Sequence, residues 1–236
     1  MIINVQEKDF GGKLRNGDIV GMCNVLEHIR NQENNQNIKF YFSDDMVVEK
    51  EYGLKFLRFM QKYTNYFSEI PGELYLQSSD ISVWEMRALS GDIVTIDNTS
   101  FKKQKKVSIF PVFDAKYNIY RNWSINLTNH ILNKYRNLFP DYKFYLCVSE
   151  NNMQMLGHLD LTNINVSFDF LDNISHICES EIFVGGDTGT SHFAGSLSNP
   201  AKNYYYYAAE ETLHTFPMHF KTTGEIIMYG KYGCLL

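Results

Sequence analysis

Residues Glu181 to Pro200 read EIFVGGDTGTSHFAGSLSNP, and the order of residue types within them decides the fold class. An apolar run, Ile182–Val184, enters the turn Gly185-Gly186-Asp187-Thr188-Gly189 and leaves it directly as a helix from about Thr190. Glycines let a backbone approach a ligand closely, and a helix N-terminus presents N–H donors at the positive end of its dipole. Thr188 and Thr190 add hydroxyl donors, so the construction suits a phosphate or a diphosphate. It lacks the GK[ST] of a Walker A loop and a complete G-x-G-x-x-G fingerprint. The same residues also fit a purely structural role, with Asp187 or Thr188 capping the helix and the glycines forming a tight turn.

Outward from this stretch, strand and helix patterns alternate along the whole chain. Strands are predicted at Ile2–Val5, Ile38–Phe42, Glu73–Gln77 and Ile93–Ile96. Apolar residues at helical spacing predict helices over Asp18–Arg30 (Ile19, Met22, Cys23, Leu26, Ile29), over Tyr52–Tyr63, and around Trp84–Leu89. The segment Asp97–Lys106, DNTSFKKQKK, is polar and basic with no hydrophobic period, and reads as a linker. A second series follows, with strands at Val107–Phe113, Phe144–Val148, Ile164–Phe168, Ile182–Val184 and a last one at Tyr204–Tyr207. The tetra-tyrosine strand reads as a buried strand with one aromatic face. Helices are predicted over Trp123–Phe139, Met153–Leu159, Leu171–Glu179 and Ser191–Leu197. The expectation is an α/β protein of two Rossmann-like halves, 1–100 and 101–236, facing a central cleft. Their strands are mainly parallel, with ligands outside the carboxyl ends of the strands.

Composition narrows the function classes. The chain has 236 residues, 44% hydrophobic and 21% charged, which is enough apolar material for one large or two small cores. Its formal charge of −5 disfavours a general polyanion binder. The four cysteines, Cys23, Cys147, Cys178 and Cys234, have no close spacing and read as reduced, packed thiols. No apolar run approaches the roughly 18 residues of a membrane span, and no signal-peptide pattern opens the chain, so a cytoplasmic location is expected.

Three segments carry a family resemblance. VGGDTGTSHFAGSLSNP resembles the C-terminal nucleotide-sugar motif of GT-B glycosyltransferases of family 9, the heptosyltransferase-like enzymes. Asp187, Thr188, Gly189, His192 and Ala194 stand in the matching places. Ile109–Trp123, IFPVFDAKYNIYRNW, looks like the opening strand of the family's C-terminal domain, followed by a basic residue near a tryptophan. Asn16-Gly17-Asp18 looks like the Gly-Asp that starts the first helix of the N-terminal domain. The chain is shorter than usual members, largely in the half that binds the acceptor, so the acceptor is not carried over.

The resemblance implies a metal-independent, inverting transfer of a sugar from a UDP- or ADP-linked donor to an acceptor hydroxyl, with no resident cofactor. Gly186, Asp187, Thr188, Gly189, Thr190 and His192 would contact the diphosphate or adjacent groups, Arg121 would clamp the phosphates, and Glu150 would reach the ribose. Arg121 suits a leaving diphosphate that gains negative charge; as a surface charge it has no such task. Asp18 is implied as the base that takes the acceptor's proton, and as a first-turn carboxylate it is also favoured by the helix dipole. Glu210, Glu211 and His214 are candidate sugar contacts. No D-x-D pair, H-E-x-x-H motif or Cys/His cluster points to a metal.

Two acceptors are considered, a saccharide or a hydroxymethylated base in phage DNA. The second rests on Asn-, Lys- and Tyr-rich usage and on Lys102, Lys103, Lys105 and Lys106. A sugar-nucleotide epimerase and a non-catalytic nucleotide-sugar-binding relic share the architecture and remain the alternatives.

Overall fold

The computed structural model describes residues 1–6, 14–48, 50–76, 95–115, 119–208 and 224–230. The chain divides into two compact units, Met1–Asp97 and Asn98–Leu236. The helix and strand expected around Trp84–Leu89 and at Ile93–Ile96 lie wholly or largely outside the described residues, as does Cys234.

In the N-terminal unit, β1 (Ile2–Asn4), α1 (Asn16–Gln32), β2 (Lys39–Tyr41), α2 (Lys50–Tyr63) and β3 (Leu74–Tyr75) follow in order. The three strands are parallel in the order β2-β1-β3. The face of α1 that the spacing marks as apolar is the buried one, with Ile19, Met22, Cys23 and Leu26 fully covered. Asn4 ties the end of β1 to the chain entering β3: its amide donates to the Gly72 carbonyl at 2.7 Å and accepts the Gly72 N–H at 2.9 Å. A side chain at Gly72 would put Cβ 2.2 Å from the carbonyl oxygen of Ile2, so only glycine passes here.

The core of this unit encloses a charge. Arg30, at the end of α1, is 2% exposed. Its Nε and Nη2 donate to the Ile38 carbonyl at 2.9 and 2.7 Å, and Nη2 also donates to that of Asn65 at 2.9 Å. Nη1 meets Glu27 at 2.7 Å, and the guanidinium lies 4.9 Å from the Tyr66 ring centroid. One side chain thus holds α1, the segment entering β2 and the loop after α2 together. Arg30→Met fills the volume but leaves two interior carbonyls without their donor, so urea denaturation should show a loss of about 2–3 kcal/mol. An unchanged midpoint would mean that water replaces the guanidinium.

The C-terminal unit contains β4 (Gln104–Phe110), α3 (Ile125–Leu138), β5 (Lys143–Cys147), α4 (Met153–Leu156), β6 (Ile164–Ser167) and α5 (Phe170–Glu179). β7 (Ser180–Gly186), α6 (Gly189–Gly195), β8 (Lys202–Ala208) and β9 (Gly224–Tyr229) complete it. Side-chain caps start two of the helices: Ser124 accepts from the Leu127 N–H at 3.1 Å, and Asp169 accepts from those of Leu171 and Asp172. All six strands are parallel, in the order β6-β5-β4-β7-β8-β9. The chain therefore builds outward from β4 through β5 to β6, then returns to the other side of β4 with β7. The carboxyl ends of β4 and β7 form the topological switch point, where such sheets open a crevice.

Three details correct the sequence reading. β9, Gly224–Tyr229, is an additional strand beyond Tyr204–Tyr207. The tyrosines of β8 are buried on both faces, none more than 7% exposed. Tyr204 packs edge-on against Tyr135 of α3 and Tyr206 against Trp123, whereas Tyr205 meets Phe183 on the opposite face. The basic segment is not a solvated linker throughout, because β4 already begins at Gln104. Lys106, 4% exposed, pairs with Glu179 of α5, and Lys103 donates to the Ser180 carbonyl at 2.9 Å, where burial lowers its pKa to about 8.

Cys23, Cys147 and Cys178 are buried thiols, and burial pushes the Cys178 thiol up to about 12. Among the described residues, no helix is long and apolar enough to cross a membrane.

Candidate functional site

The turn after β7 lies at the switch point. Gly185 pairs with Phe110, the last residue of β4, so Gly186 and Asp187 emerge beside the chain leaving β4. That chain folds back on itself, with the Trp123 N–H donating to the Val112 carbonyl at 2.6 Å and the Ala115 N–H to the Asn122 side chain at 2.7 Å. Trp123 and Val112 press against Gly186. A Cβ there would stand 2.5 Å from Val112 Cγ2 and 3.1 Å from the indole nitrogen. At Gly185 it would meet Phe183 and Ser191 at 2.7 Å. The two glycines thus serve the close packing of strand, loop and α6, a structural duty that coexists with any closeness to a ligand.

The loop delivers Arg121 on a short 3-10 turn, Ile119–Arg121, and its Nη2 meets the Asp187 carboxylate at 2.8 Å. Asp187 is 9% exposed and Arg121 is 36% exposed, so the cation reaches solvent while the anion lies beneath it. His192, one turn into α6, places Nε2 3.7 Å from the other Asp187 oxygen. Burial works against the carboxylate's charge, but His192, Arg121 and the Tyr207 hydroxyl together outweigh it and hold its pKa below the ordinary value.

Thr188 occupies the N-cap of α6, its carbonyl accepting the N–H groups of Ser191 and His192 at 3.1 Å each. Its hydroxyl lies 2.8 Å from that of Thr190, and the Ser191 hydroxyl turns inward to the Gly186 carbonyl. The helix starts at Gly189, one residue ahead of the expected Thr190.

Arg121, Gly186, Asp187, Thr188, Gly189, Thr190 and His192 therefore belong to one locality at the carboxyl edge of the sheet. Glu150 is at the same edge on the neighbouring strand, exposed, three residues past β5 in a 3-10 turn. Asp18 belongs to the N-terminal unit, half-buried in the first turn of α1, where its Oδ2 accepts the Arg15 N–H at 2.9 Å. Glu210, Glu211 and His214 lie outside the described residues. Among the described residues, no group of three or more His, Cys, Asp or Glu side chains could hold a metal ion.

Sequence reasoning missed Tyr207 and Tyr229. The Tyr207 hydroxyl supports the Asp187 charge, and the Tyr229 hydroxyl donates to the Arg121 carbonyl at 2.8 Å. Tyr207 was visible only as part of an aromatic strand. Tyr229 had a usable signal, since GEIIMYG is a β-branched run between glycines.

Comparison with known proteins places this fold. No family model and no curated protein matches the sequence. Solved structures do match along nearly the whole chain. The family 9 glycosyl transferase from Veillonella parvula superposes with a TM-score of 0.58 at 11% identity, over 98% of this chain and 85% of that one. The E. coli ADP-heptose LPS heptosyltransferase II gives 0.59 at 13% identity, over 96% and 89%. The E. coli heptosyltransferase WaaC, solved with ADP, gives 0.57 at 11% identity, over 97% and 91%. The chain is thus similar in fold to the GT-B glycosyltransferases of family 9, as its motifs led one to expect.

Proposed function

We propose that the chain is a glycosyltransferase that binds a nucleoside-diphosphate sugar through its C-terminal unit and transfers the sugar to an acceptor hydroxyl with inversion, without a metal ion. The observation that carries this reading is the position of Arg121 and the turn Gly186–Thr190 at the switch point between β4 and β7, where open α/β sheets bind nucleotides. The fold shared with three glycosyltransferases, one of them solved with ADP, supports it.

Each residue has a chemical task in this scheme. Arg121 faces solvent with a guanidinium that can donate in a fork to phosphate oxygens, and it neutralises charge as the glycosidic bond breaks. Asp187 acts from beneath as the counter-charge that holds Arg121 and His192 in place, because a carboxylate placed directly against a diphosphate would repel it. The Thr188 and Thr190 hydroxyls supply neutral donors. Glu150 offers an acceptor for ribose hydroxyls from the edge of β5. Asp18 takes the proton of the attacking hydroxyl as the new bond forms at the anomeric carbon.

A saccharide hydroxyl suits the acceptor side better than a base in DNA. Two of the four lysines suggested for DNA, Lys103 and Lys106, are spent on the Ser180 carbonyl and on Glu179.

Calorimetric titration with ADP, UDP, GDP and CMP, first without metal and then with magnesium, tests the proposal. Binding of one nucleoside diphosphate at equal affinity with and without magnesium is expected, and it would name the base of the donor. Absence of binding across the panel would leave the likeness at the level of architecture.

A further inference from the structure

Arg121 is held at both ends. Its guanidinium meets Asp187 at 2.8 Å, while its carbonyl oxygen accepts a hydrogen bond from the Tyr229 hydroxyl, also at 2.8 Å. Tyr229 is the last residue of β9, is 2% exposed, and belongs to the same packed cluster as Trp123, Val112, Tyr206 and Ala208. β9 pairs with β8 rather than with β4 or β7, so the tyrosine reaches a loop that belongs to a different part of the chain. A 3-10 turn of three residues has little stiffness of its own. The phenol standing in a closely packed core gives this one a fixed reference point.

Resting on the donor-site reading above, we infer that Tyr229 is a positioning residue for diphosphate binding, fixing the backbone of Arg121 so that the guanidinium is set before the ligand arrives. The physical basis is preorganisation: a flexible cation must be immobilised on binding, and that ordering subtracts from affinity. The hydrogen bond joins two segments more than 100 residues apart in sequence, β9 and the loop after β4. The affinity of the site thereby depends on correct pairing of the last described strand, even though Tyr229 acts only through Arg121.

Tyr229→Phe keeps the ring in the core and removes only the hydroxyl. Its effect on ADP affinity is measured in the wild-type and in the Arg121→Ala background, together with 15N relaxation of the Arg121 guanidinium in the ligand-free protein. The expected result is a Kd for ADP raised roughly 3- to 10-fold by Tyr229→Phe in wild type and unchanged by it in Arg121→Ala, with a more mobile guanidinium. Equal weakening in both backgrounds would overturn the inference, since the tyrosine would then act on the fold at large. A guanidinium as ordered in Tyr229→Phe as in wild type would overturn it without reference to any ligand. Failure of the donor-site reading has a different signature: Arg121→Ala would itself bind ADP as the wild type does, and the tyrosine would have no role in binding.

Discussion

Asp187→Asn should weaken ADP binding at least tenfold and lower the unfolding free energy by about 3 kcal/mol. The stability figure follows from the contacts. The carboxylate is 9% exposed and serves Arg121 at 2.8 Å and His192 at 3.7 Å. Removing one partner of a buried pair costs about 3–5 kcal/mol, and the lower end applies because Arg121 is 36% exposed and can recover water. The sign of the binding effect distinguishes two roles. If Asp187 were simply a neighbour of the diphosphate, deleting its charge would relieve a repulsion of up to about 4 kcal/mol at 4 Å and a dielectric near 20, and ADP would bind more tightly. If it anchors Arg121, the same change loosens the clamp and ADP binds more weakly. Calorimetry on one variant therefore decides between them.

The pH dependence supplies a second check on Asp187. Its folded-state pKa lies below the ordinary 3.8, so the stabilisation is complete above that value and is lost as pH falls through the folded-state value. The stability gap between wild type and Asp187→Asn should narrow on acidification below about pH 5. A gap that instead widened in acid would mean that the carboxylate is destabilised in the folded protein.

How far the sequence announced this arrangement depends on the range of the interaction concerned. The alternation of strand and helix, the glycine turn and the helix after it are local patterns, and they match β7 and α6 within a residue or two. Arg121 and Asp187 could be paired in advance only through the resemblance, because they stand 66 positions apart and nothing in their neighbourhoods refers to the other. The strand order that places β7 beside β4 is likewise a property of the assembled sheet. Composition misled where long side chains reach inward. Lys103 and Lys106 look solvated in a polar run, yet a lysine on an edge or central strand can send its stem along apolar surface to a carbonyl or a carboxylate. Alternation also misled at β8. Tyrosine on both faces of a strand hides which face is the core, and each ring here found its own packing partner.

In the proposed function, Arg121 offers positive charge and the two threonines offer neutral donors, which suits the leaving group of a transfer reaction. The carboxylate among them is engaged as a counter-charge with a depressed pKa, which makes it a poor base. Under the proposed function, a base for the acceptor hydroxyl would have to come from elsewhere in the protein, and the sequence motif nominates Asp18.

Asp18→Asn should accordingly reduce sugar transfer by roughly 10²- to 10⁴-fold while leaving ADP affinity within about twofold of wild type. The substitution separates the proposed base role from the observed contact at the helix start. In α1, Asp18 Oδ2 accepts the N–H of Arg15 at 2.9 Å, tying down the start of the helix. A carboxylate has about four lone-pair sites, so this bond leaves capacity for an acceptor hydroxyl. Asparagine keeps an oxygen that can accept from Arg15, but its amide cannot take a proton. The helix start should survive, and the melting temperature should stay close to wild type. Asp18→Ala removes both; transfer should fall equally far, with an additional loss of about 1 kcal/mol in stability from the missing hydrogen bond to the Arg15 N–H. The two variants side by side distinguish base from cap. Equal inactivity with unequal stability supports proton transfer by Asp18. An Asp18→Asn enzyme that transfers sugar at a near wild-type rate, beside an impaired Asp18→Ala, would reduce the residue to a helix cap and require the base to be sought on another side chain.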